Sequence, residues 1–474
     1  MKIKIGLETH VQLNSLSKLF CPCANPVNLK EEAPPNSLTC PTCLGMPGSK
    51  PVLNKRIVEL ATKVALALNC KIAPEMYFSR KTYFYPDMSK NYQITQYEIP
   101  LASEGHLEIE SGNKKKKIVI RRIHIEEDPA KVIHVGGLGG KYVLVDYNRS
   151  GIPLIEIVTE PDFESPQEAR LYLQKLTTIL EYLGVYDPSS QAVLKSDGNI
   201  SLYGDGVTGN RVEVKNITGA KEVEEALKYE VIRQNSLLTQ GIQVKMETRM
   251  WNPDLGSTQE MRGKEAEAEY GYIFEPDLPK FTIQKKIADD LKGKLPELPD
   301  QKYQRFIKDY KLPEAVAESI VSEIDIADLF EYVAKKVDPK IAGGFIAGDL
   351  KKTLNWNNLR FKQIGLEKDW ITDLLKLFTE KKITDKNTEL AVRKMVEEKK
   401  SAKEIVEKYN LLKTKVDLES VIKKIIENNK KPVDDYKSGE KKALEFLVGL
   451  VMKETRGQVD ATEIRDSLVK VLGY

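Results

Sequence analysis

Near residue 290 the hydrophobic pattern of this 474-residue chain changes period. Before that point apolar and polar residues alternate in short runs broken by Gly, Pro and Asn, which is the two-residue period of half-buried strands. Beyond it Leu, Ile and Val recur every three or four residues among Lys and Glu, the period of amphipathic helices. The two periods bury their apolar residues in different ways, so the chain is expected to be α+β. A sheet-bearing N-terminal part should give way near Pro296–Pro299 to an all-helical remainder. Within the first part Ser165-Pro166-Gln167-Glu168 reads as an N-cap, a first-turn proline and a capping-box glutamate; Ala169, Leu173, Leu176, Leu180 and Leu183 then follow at helical spacing until Gly184 stops the helix. Asn428 to Pro432 predicts a loop, Lys114 to Lys117 a solvated hairpin tip, and the glycine-rich stretch 136–141 a hairpin loop.

Charge excludes several functions. Lys plus Arg number 73 against 70 Asp plus Glu, too balanced for a polyelectrolyte sleeve around DNA, so any nucleic-acid contact must be local. Residues 381–474 carry 22 Lys and Arg against 17 Asp and Glu, a drift that fits either a solvated helical face or an RNA contact. No run approaches the roughly 18 apolar residues of a membrane span. The N-terminus lacks the apolar segment of a secretory signal, so a cytoplasmic protein is expected.

Four of the five cysteines fall within 23 residues: Cys21, Cys23, Cys40 and Cys43. Two closely spaced thiol pairs joined by a proline-stiffened loop predict a closed tetrahedral S4 site, with zinc in a structural role; free thiols or a transient disulfide are the alternatives. Cys70 reads as a core residue.

Alternation along other segments predicts polar faces. Ile3, Ile5, Leu7 and Val11 share one side of a strand, which puts Glu8 and His10 on the other. The same reading groups His124, Glu126 and Asp128, with Pro129 ending the strand at Asp128. It pairs Asp146 with Asn148, aligns Asp197, Asn199 and Ser201, and aligns Arg211, Glu213 and Lys215. One such strand is ordinary. Five together suggest carboxylates and amides converging on a hard cation such as Mg2+, with cations nearby for phosphoryl transfer. No phosphate-loop, kinase, H-E-x-x-H or G-x-S-x-G motif is present. Arg80-Lys81-Thr82-Tyr83-Phe84-Tyr85, followed by Lys90 and Tyr92, interleaves cations with aromatics. That pattern suits either a stacked terminal nucleotide or a sheet edge capped by cations.

The stretch Val145-Asp-Tyr-Asn-Arg-Ser-Gly-Ile-Pro-Leu-Ile-Glu-Ile-Val-Thr-Glu-Pro161 resembles the signature of the B-subunit family of tRNA-dependent aspartyl/glutamyl amidotransferases. Supporting blocks in the same order include Ile5-Gly-Leu-Glu-Thr-His-Val-Gln12, Arg80 to Tyr97, His124 to Asp128, Ser196 to Leu202, Glu213 to Asn216, Phe274 to Pro279 and Phe446 to Gly449. The resemblance implies a glutamine-synthetase-like β-sheet cradle over 1–290 with the cysteine loop at 21–43, a helical domain over 291–400 and a small helical tRNA-binding tail over 401–474. It implies ATP-dependent phosphorylation of the side-chain carboxylate of misacylated Glu-tRNA(Gln) or Asp-tRNA(Asn), then amidation with ammonia from a partner glutaminase subunit, in a heterotrimer with a small third subunit. By the same resemblance Glu8, His10, Glu126 and Glu213 would ligate Mg2+, with Glu127, Asp197 and Asn199 beside them. Lys81, Tyr83, Tyr85, Asn148, Arg149, Lys215 and Asn216 would hold the nucleotide or the aminoacylated tRNA end, and Cys21, Cys23, Cys40 and Cys43 a structural zinc.

Overall fold

The computed structural model describes residues 1–472 apart from 113, 136–141, 205, 262–270, 414–417 and 456–458. Its contacts divide the chain into two compact units, Met1–Pro299 and Asp300–Tyr474.

The first unit is built on a strand at the middle of a large sheet. Lys2–Gln12 alternates as its sequence demands, with Ile5, Leu7 and Val11 buried on one side. It pairs antiparallel with Pro153–Thr159 on one flank and Leu194–Gly204 on the other. Outward from Pro153–Thr159 come Lys114–Glu127, Ala102–Ser111 and Lys71–Ile72; outward from Leu194–Gly204 come Val212–Thr218, Glu247–Asn252 and Ser257–Glu260, with the short Val207–Thr208 beside Leu194–Gly204. Val212–Thr218 and Glu247–Asn252 pair in parallel, as strands joined through a crossover helix must, and that helix is Ala220–Thr239. The apolar side of the sheet, with Ile123, Ile125, Ile155, Ile157, Ile200 and Val214 at 0 % exposure, carries the helices Lys55–Ala67, Pro166–Tyr182 and Ala220–Thr239 and forms one continuous core. Ser165 caps Pro166–Tyr182 as expected, its Oγ accepting from the Glu168 amide at 3.2 Å. Gly184 follows the helix at φ +66°, a conformation that costs glycine little. Cys70 is buried, its sulfur packed so closely on Gly105 that an added Cβ there would collide with it.

The described elements of the second unit, with few exceptions, are helices whose buried residues are mostly apolar, among them Leu329, Phe330, Leu374 and Leu375. A separate cluster of buried residues, Ile422, Leu447, Val451, Ile464 and Leu468 among them, ties together the helices Leu418–Asn428, Lys430–Lys437, Lys441–Glu454 and Ala461–Leu472. Among the described residues no helix is long and apolar enough to cross a membrane.

Several local expectations are corrected. Lys114 to Lys117 are not a tip: they open the strand Lys114–Glu127, in register with Glu108 to Ser111, and Lys116 is held by Glu164 and Glu168 at 3.0 and 2.9 Å. The loop expected over Asn428–Pro432 is only a break at Asn429, because Pro432 sits in the first turn of Lys430–Lys437, where a helix needs no amide donor. The strand before Pro129 ends at Glu127, one residue early. Val145 to Asn148 is not a strand face: Val143–Asp146 stops at Asp146, whose Oδ1 accepts from the Asn148 amide at 3.0 Å and starts a turn. The hairpin loop expected over 136–141 lies outside the described residues.

Candidate active site

Residues paired across an antiparallel ladder share a face, so the register of the large sheet fixes which polar side chains meet. His10 lies opposite Glu156, which lies opposite His124; Gln12, Leu154 and Glu126 form the next row. Glu8 lies opposite Asp197, and Asn199 opposite Glu213. The face opposite the apolar core therefore carries a patch of carboxylates and imidazoles spread over five adjacent strands.

At its centre His10 Nε2 stands 3.6 Å from Glu126 Oε1 and 4.0 Å from Glu156 Oε2. One ligand atom from each of the three lies within 4.8 Å of the others. Thr95 Oγ1 donates to Glu126 Oε2 at 3.0 Å, which leaves Oε1 turned to the imidazole. Asn199 Nδ2 donates to Glu8 Oε1 at 3.0 Å. On the far flank Lys215 Nζ lies 3.3 Å from Glu213 Oε1 and 3.5 Å from Asp197 Oδ2, and Thr248 Oγ1 donates to Glu213 Oε2 at 3.2 Å.

The protonation pattern shows an excess of negative charge. Burial, then the carboxylates of Glu156, Glu213 and Asp197, raise the Glu8 pKa. For His10 burial works downward, but Glu156, Glu126, Asp197 and Glu8 outweigh it and the pKa rises. Burial also opposes the charge on Lys215, yet Asp197 and Glu213 hold its pKa above the usual range. His124 is the exception: burial dominates and pushes it down to about 4, so it stays neutral. Crowded oxygen donors with one imidazole fit a hard divalent cation, whose octahedral ligands at about 2.1 Å lie roughly 3–4.2 Å apart.

Of the four expected Mg2+ ligands, His10 and Glu126 lie in the central cluster. Glu8 and Glu213 are on the same face in neighbouring rows, with Asn199, and with Lys215 and Thr248, as their partners. Glu156 was missed. Its signal was present: in Pro153–Thr159 it is the one charged residue of an otherwise buried strand, and it takes the place expected for Asp146 and Asn148. Glu127 is not brought to the cluster, because successive strand residues point to opposite sides. Its carboxylate is paired with Lys90, accepts from the Ile94 amide at 2.9 Å, and lines a cavity of about 10 Å³ with Asp87, Ser89, Asp128 and Ser150. Gln12 Nε2 donates to Asp128 Oδ2 at 2.6 Å, and burial raises the Asp128 pKa.

Arg149, expected at the nucleotide, gives its guanidinium to the carbonyls of Pro129 and Ala130 at 2.9 and 2.6 Å. In the cation–aromatic segment Arg80, on the middle strand of a small separate sheet of Ser79–Thr82, Tyr92–Thr95 and Gly271–Phe274, forks onto the buried Glu275 with two bonds of 2.8 Å and stacks on the Tyr92 ring, so this cation is held inside the fold. Lys81 reaches the Tyr83 ring at 6.0 Å and its charge acts on His124; Tyr85 and Phe84 are exposed. The Asn216 side chain lies outside the described residues.

The four clustered cysteines do converge, their sulfurs mutually within 4.8 Å. Cys40 Sγ and Cys43 Sγ are 3.9 Å apart, close to the roughly 3.8 Å edge of a tetrahedron with Zn–S bonds of about 2.3 Å. A hydrogen bond from Cys21 pulls the Cys43 thiol down, and the buried Lys18 ammonium adds to this, while the same bond and burial push Cys21 up and burial raises Cys23, so the four sulfurs share one favoured thiolate at Cys43. Asn148 belongs here: its Oδ1 accepts from the Leu38 amide at 2.7 Å and its Nδ2 donates to the Pro34 carbonyl at 2.8 Å. Asp146 accepts from the Asn36 amide, and Ser89 and Ser150 both donate to the Cys43 carbonyl, at 2.8 and 3.0 Å.

Two family models match the chain: the GatB/GatE catalytic domain over residues 3–289 and the GatB domain over residues 328–472. The B subunit of the aspartyl/glutamyl-tRNA(Asn/Gln) amidotransferase from Methanoregula boonei is 44% identical over 482 residues, covering 99% of this chain and 98% of the relative. The proteins of the same name from Methanosarcina barkeri and Thermotoga maritima are 44% and 43% identical, with the same coverage.

Proposed function

Because this chain belongs to the B-subunit family of the aspartyl/glutamyl-tRNA(Asn/Gln) amidotransferases, we propose that its polar sheet face phosphorylates the side-chain carboxylate of Glu-tRNA(Gln) or Asp-tRNA(Asn) at the expense of ATP. The enzyme class is a carbon–nitrogen ligase with glutamine as amido donor. In this reading a carboxylate oxygen attacks the γ-phosphorus, an O–P bond forms and the bond to ADP breaks. Ammonia then attacks the acyl carbon, the C–O bond to phosphate breaks, and one nitrogen-bound proton leaves as the amide forms. Ammonia displaces oxide from a free carboxylate very poorly, which is why activation comes first.

The observation that carries the reading is the convergence of His10, Glu126 and Glu156 on a face flanked by Lys215. Those three residues would hold Mg2+, with Glu8 beside them. When bound, the metal supplies neutralisation of the phosphates. Thr95 orients Glu126 and Asn199 orients Glu8 by hydrogen bonds to their outer oxygens, so their charges are fixed before substrate arrives. Lys215, held cationic by Asp197 and Glu213, would offer its ammonium to a phosphate oxygen.

The remaining assignments complete the proposal. Zinc at Cys21, Cys23, Cys40 and Cys43 folds a loop with little apolar content. A glutaminase subunit supplies ammonia, a small third subunit completes the heterotrimer, residues 401–474 grip the tRNA within a division 1–290, 291–400 and 401–474, and the enzyme works in the cytoplasm. ADP formation by the assembled complex, with ammonium as nitrogen source, tests this. Turnover should require charged tRNA and vanish in Glu126→Gln. Turnover that ignores charging, or a fully active variant, would overturn it and leave a tRNA-binding scaffold.

A further inference from the structure

Two residues before His124, on the same side of Lys114–Glu127, stands Arg122. The intervening Ile123 is fully buried in the core, which fixes the alternation. Arg122 lies opposite Val158, two residues along its strand from Glu156, and its charge acts on His124. It therefore stands at one end of the row Arg122–Val158–Glu8–Asp197, beside the row of His10 and Glu156, with Lys215 at the other end on Asp197.

What sets it apart is that among the described residues no side chain or carbonyl accepts from its guanidinium. Its Nε is buried without a hydrogen-bond partner, and among the described residues its guanidinium makes no ion pair. His124 Nε2, next to it on the strand, is buried without a partner as well. Nearby arginines are engaged: Arg80 by Glu275, Arg121 by Glu160, and Arg149 by Asp128 and two carbonyls. A buried donor with no acceptor disfavours folding and persists where a ligand takes it up. A planar fork of donors beside a carboxylate-lined cation site is the equipment for an oxyanion shared between a metal and a guanidinium.

We infer that Arg122, with the ring edge of His124 beside it, is a binding subsite for an oxyanion of the reacting pair: the terminal phosphoryl group of the nucleotide or the side-chain carboxylate of the aminoacyl group. This rests on the phosphoryl-transfer reading above and adds to it a cation on the flank opposite Lys215.

The test uses the assembled complex with ammonium as nitrogen source and the variants Arg122→Gln, Arg122→Lys and Arg122→Ala. Removing a charge-assisted hydrogen bond should lower kcat/KM by about tenfold to a hundredfold in Arg122→Gln, and Arg122→Lys should recover part of that. A rise confined to the KM for ATP identifies the phosphoryl group, and one confined to the KM for charged tRNA the carboxylate. Millimolar guanidinium should restore turnover to Arg122→Ala, which no structural role would allow. Variants within twofold of wild type in every parameter overturn the inference. So does activity that falls only in step with the folded fraction measured by thermal unfolding. A wild-type complex that forms no ADP with charged tRNA overturns the phosphoryl-transfer reading itself, and this inference with it.

Discussion

Replacing Asn148 by alanine removes two side-chain hydrogen bonds of 2.7 and 2.8 Å that fasten the cysteine loop at Leu38 and Pro34. Asn148 is 6 % exposed, so its amide is almost wholly devoted to this contact. Each bond contributes about 0.5–1.5 kcal/mol net, and the orphaned groups belong to a surface loop that water can reach, so the total is about 2 kcal/mol. If the loop is ordered together with its metal, that loss appears as a zinc affinity roughly 30-fold weaker, since about 1.4 kcal/mol is a factor of ten. Competition with a chromophoric chelator reads the affinity directly, and the KM for ATP is measured on the same preparations. Asn148→Asp should be at least as damaging, because it keeps an acceptor for the Leu38 amide but sets an oxygen against the Pro34 carbonyl. Zinc retention within twofold of wild type, together with a tenfold rise in the KM for ATP, would refute the clamp and return Asn148 to the nucleotide.

Other consequences follow from the same geometry. Arg80→Ala strands the fully buried Glu275 carboxylate and should cost about 3–5 kcal/mol in denaturant unfolding; a loss below about 1 kcal/mol would contradict the buried pair. His124 titrates near 4 when folded and near 6.5 when unfolded, so the unfolded chain takes up a proton first as pH falls. Stability should drop by about 3 kcal/mol between pH 6.5 and 4, and His124→Gln should lack that part of the loss. Glu156→Gln should weaken Mn2+ binding at least tenfold, by calorimetric titration, without lowering stability at neutral pH, because one member of a mutually repelling group is gone. Unchanged Mn2+ affinity would remove Glu156 from the cluster.

Much of the polar face was legible because a strand's period of two is rigid. Once Ile3, Ile5 and Leu7 were assigned to the core, Glu8 and His10 had to face the other way, and the same logic placed Glu126, Asp197 and Asn199. What the period could not supply was register across strands. Whether Asp146 or Glu156 would face His10 depends on which residues pair, and the turn begun by Asp146 shifts the answer by ten positions. Glu127 shows the opposite limit: its sequence neighbour belongs to the site, and the pleat alone turns its carboxylate toward Lys90. Asn148 and Arg149 sit in a signature rich in chemistry-bearing residues, but their partners are backbone groups at Pro34, Leu38, Pro129 and Ala130, and backbone partners leave no trace in side-chain patterns. Arg122 was hidden for a different reason: a donor without a partner can be recognised only when its neighbours are placed.

In the reaction proposed above, the tRNA-borne carboxylate is activated by phosphorylation. With ATP, ammonium and Glu-tRNA(Gln) carrying oxygen-18 in the side-chain carboxylate, the bridging oxygen must leave with phosphate when nitrogen displaces it. For each amide formed, one inorganic phosphate carrying one labelled oxygen should be released, by mass spectrometry. Amide formation with unlabelled phosphate would contradict it.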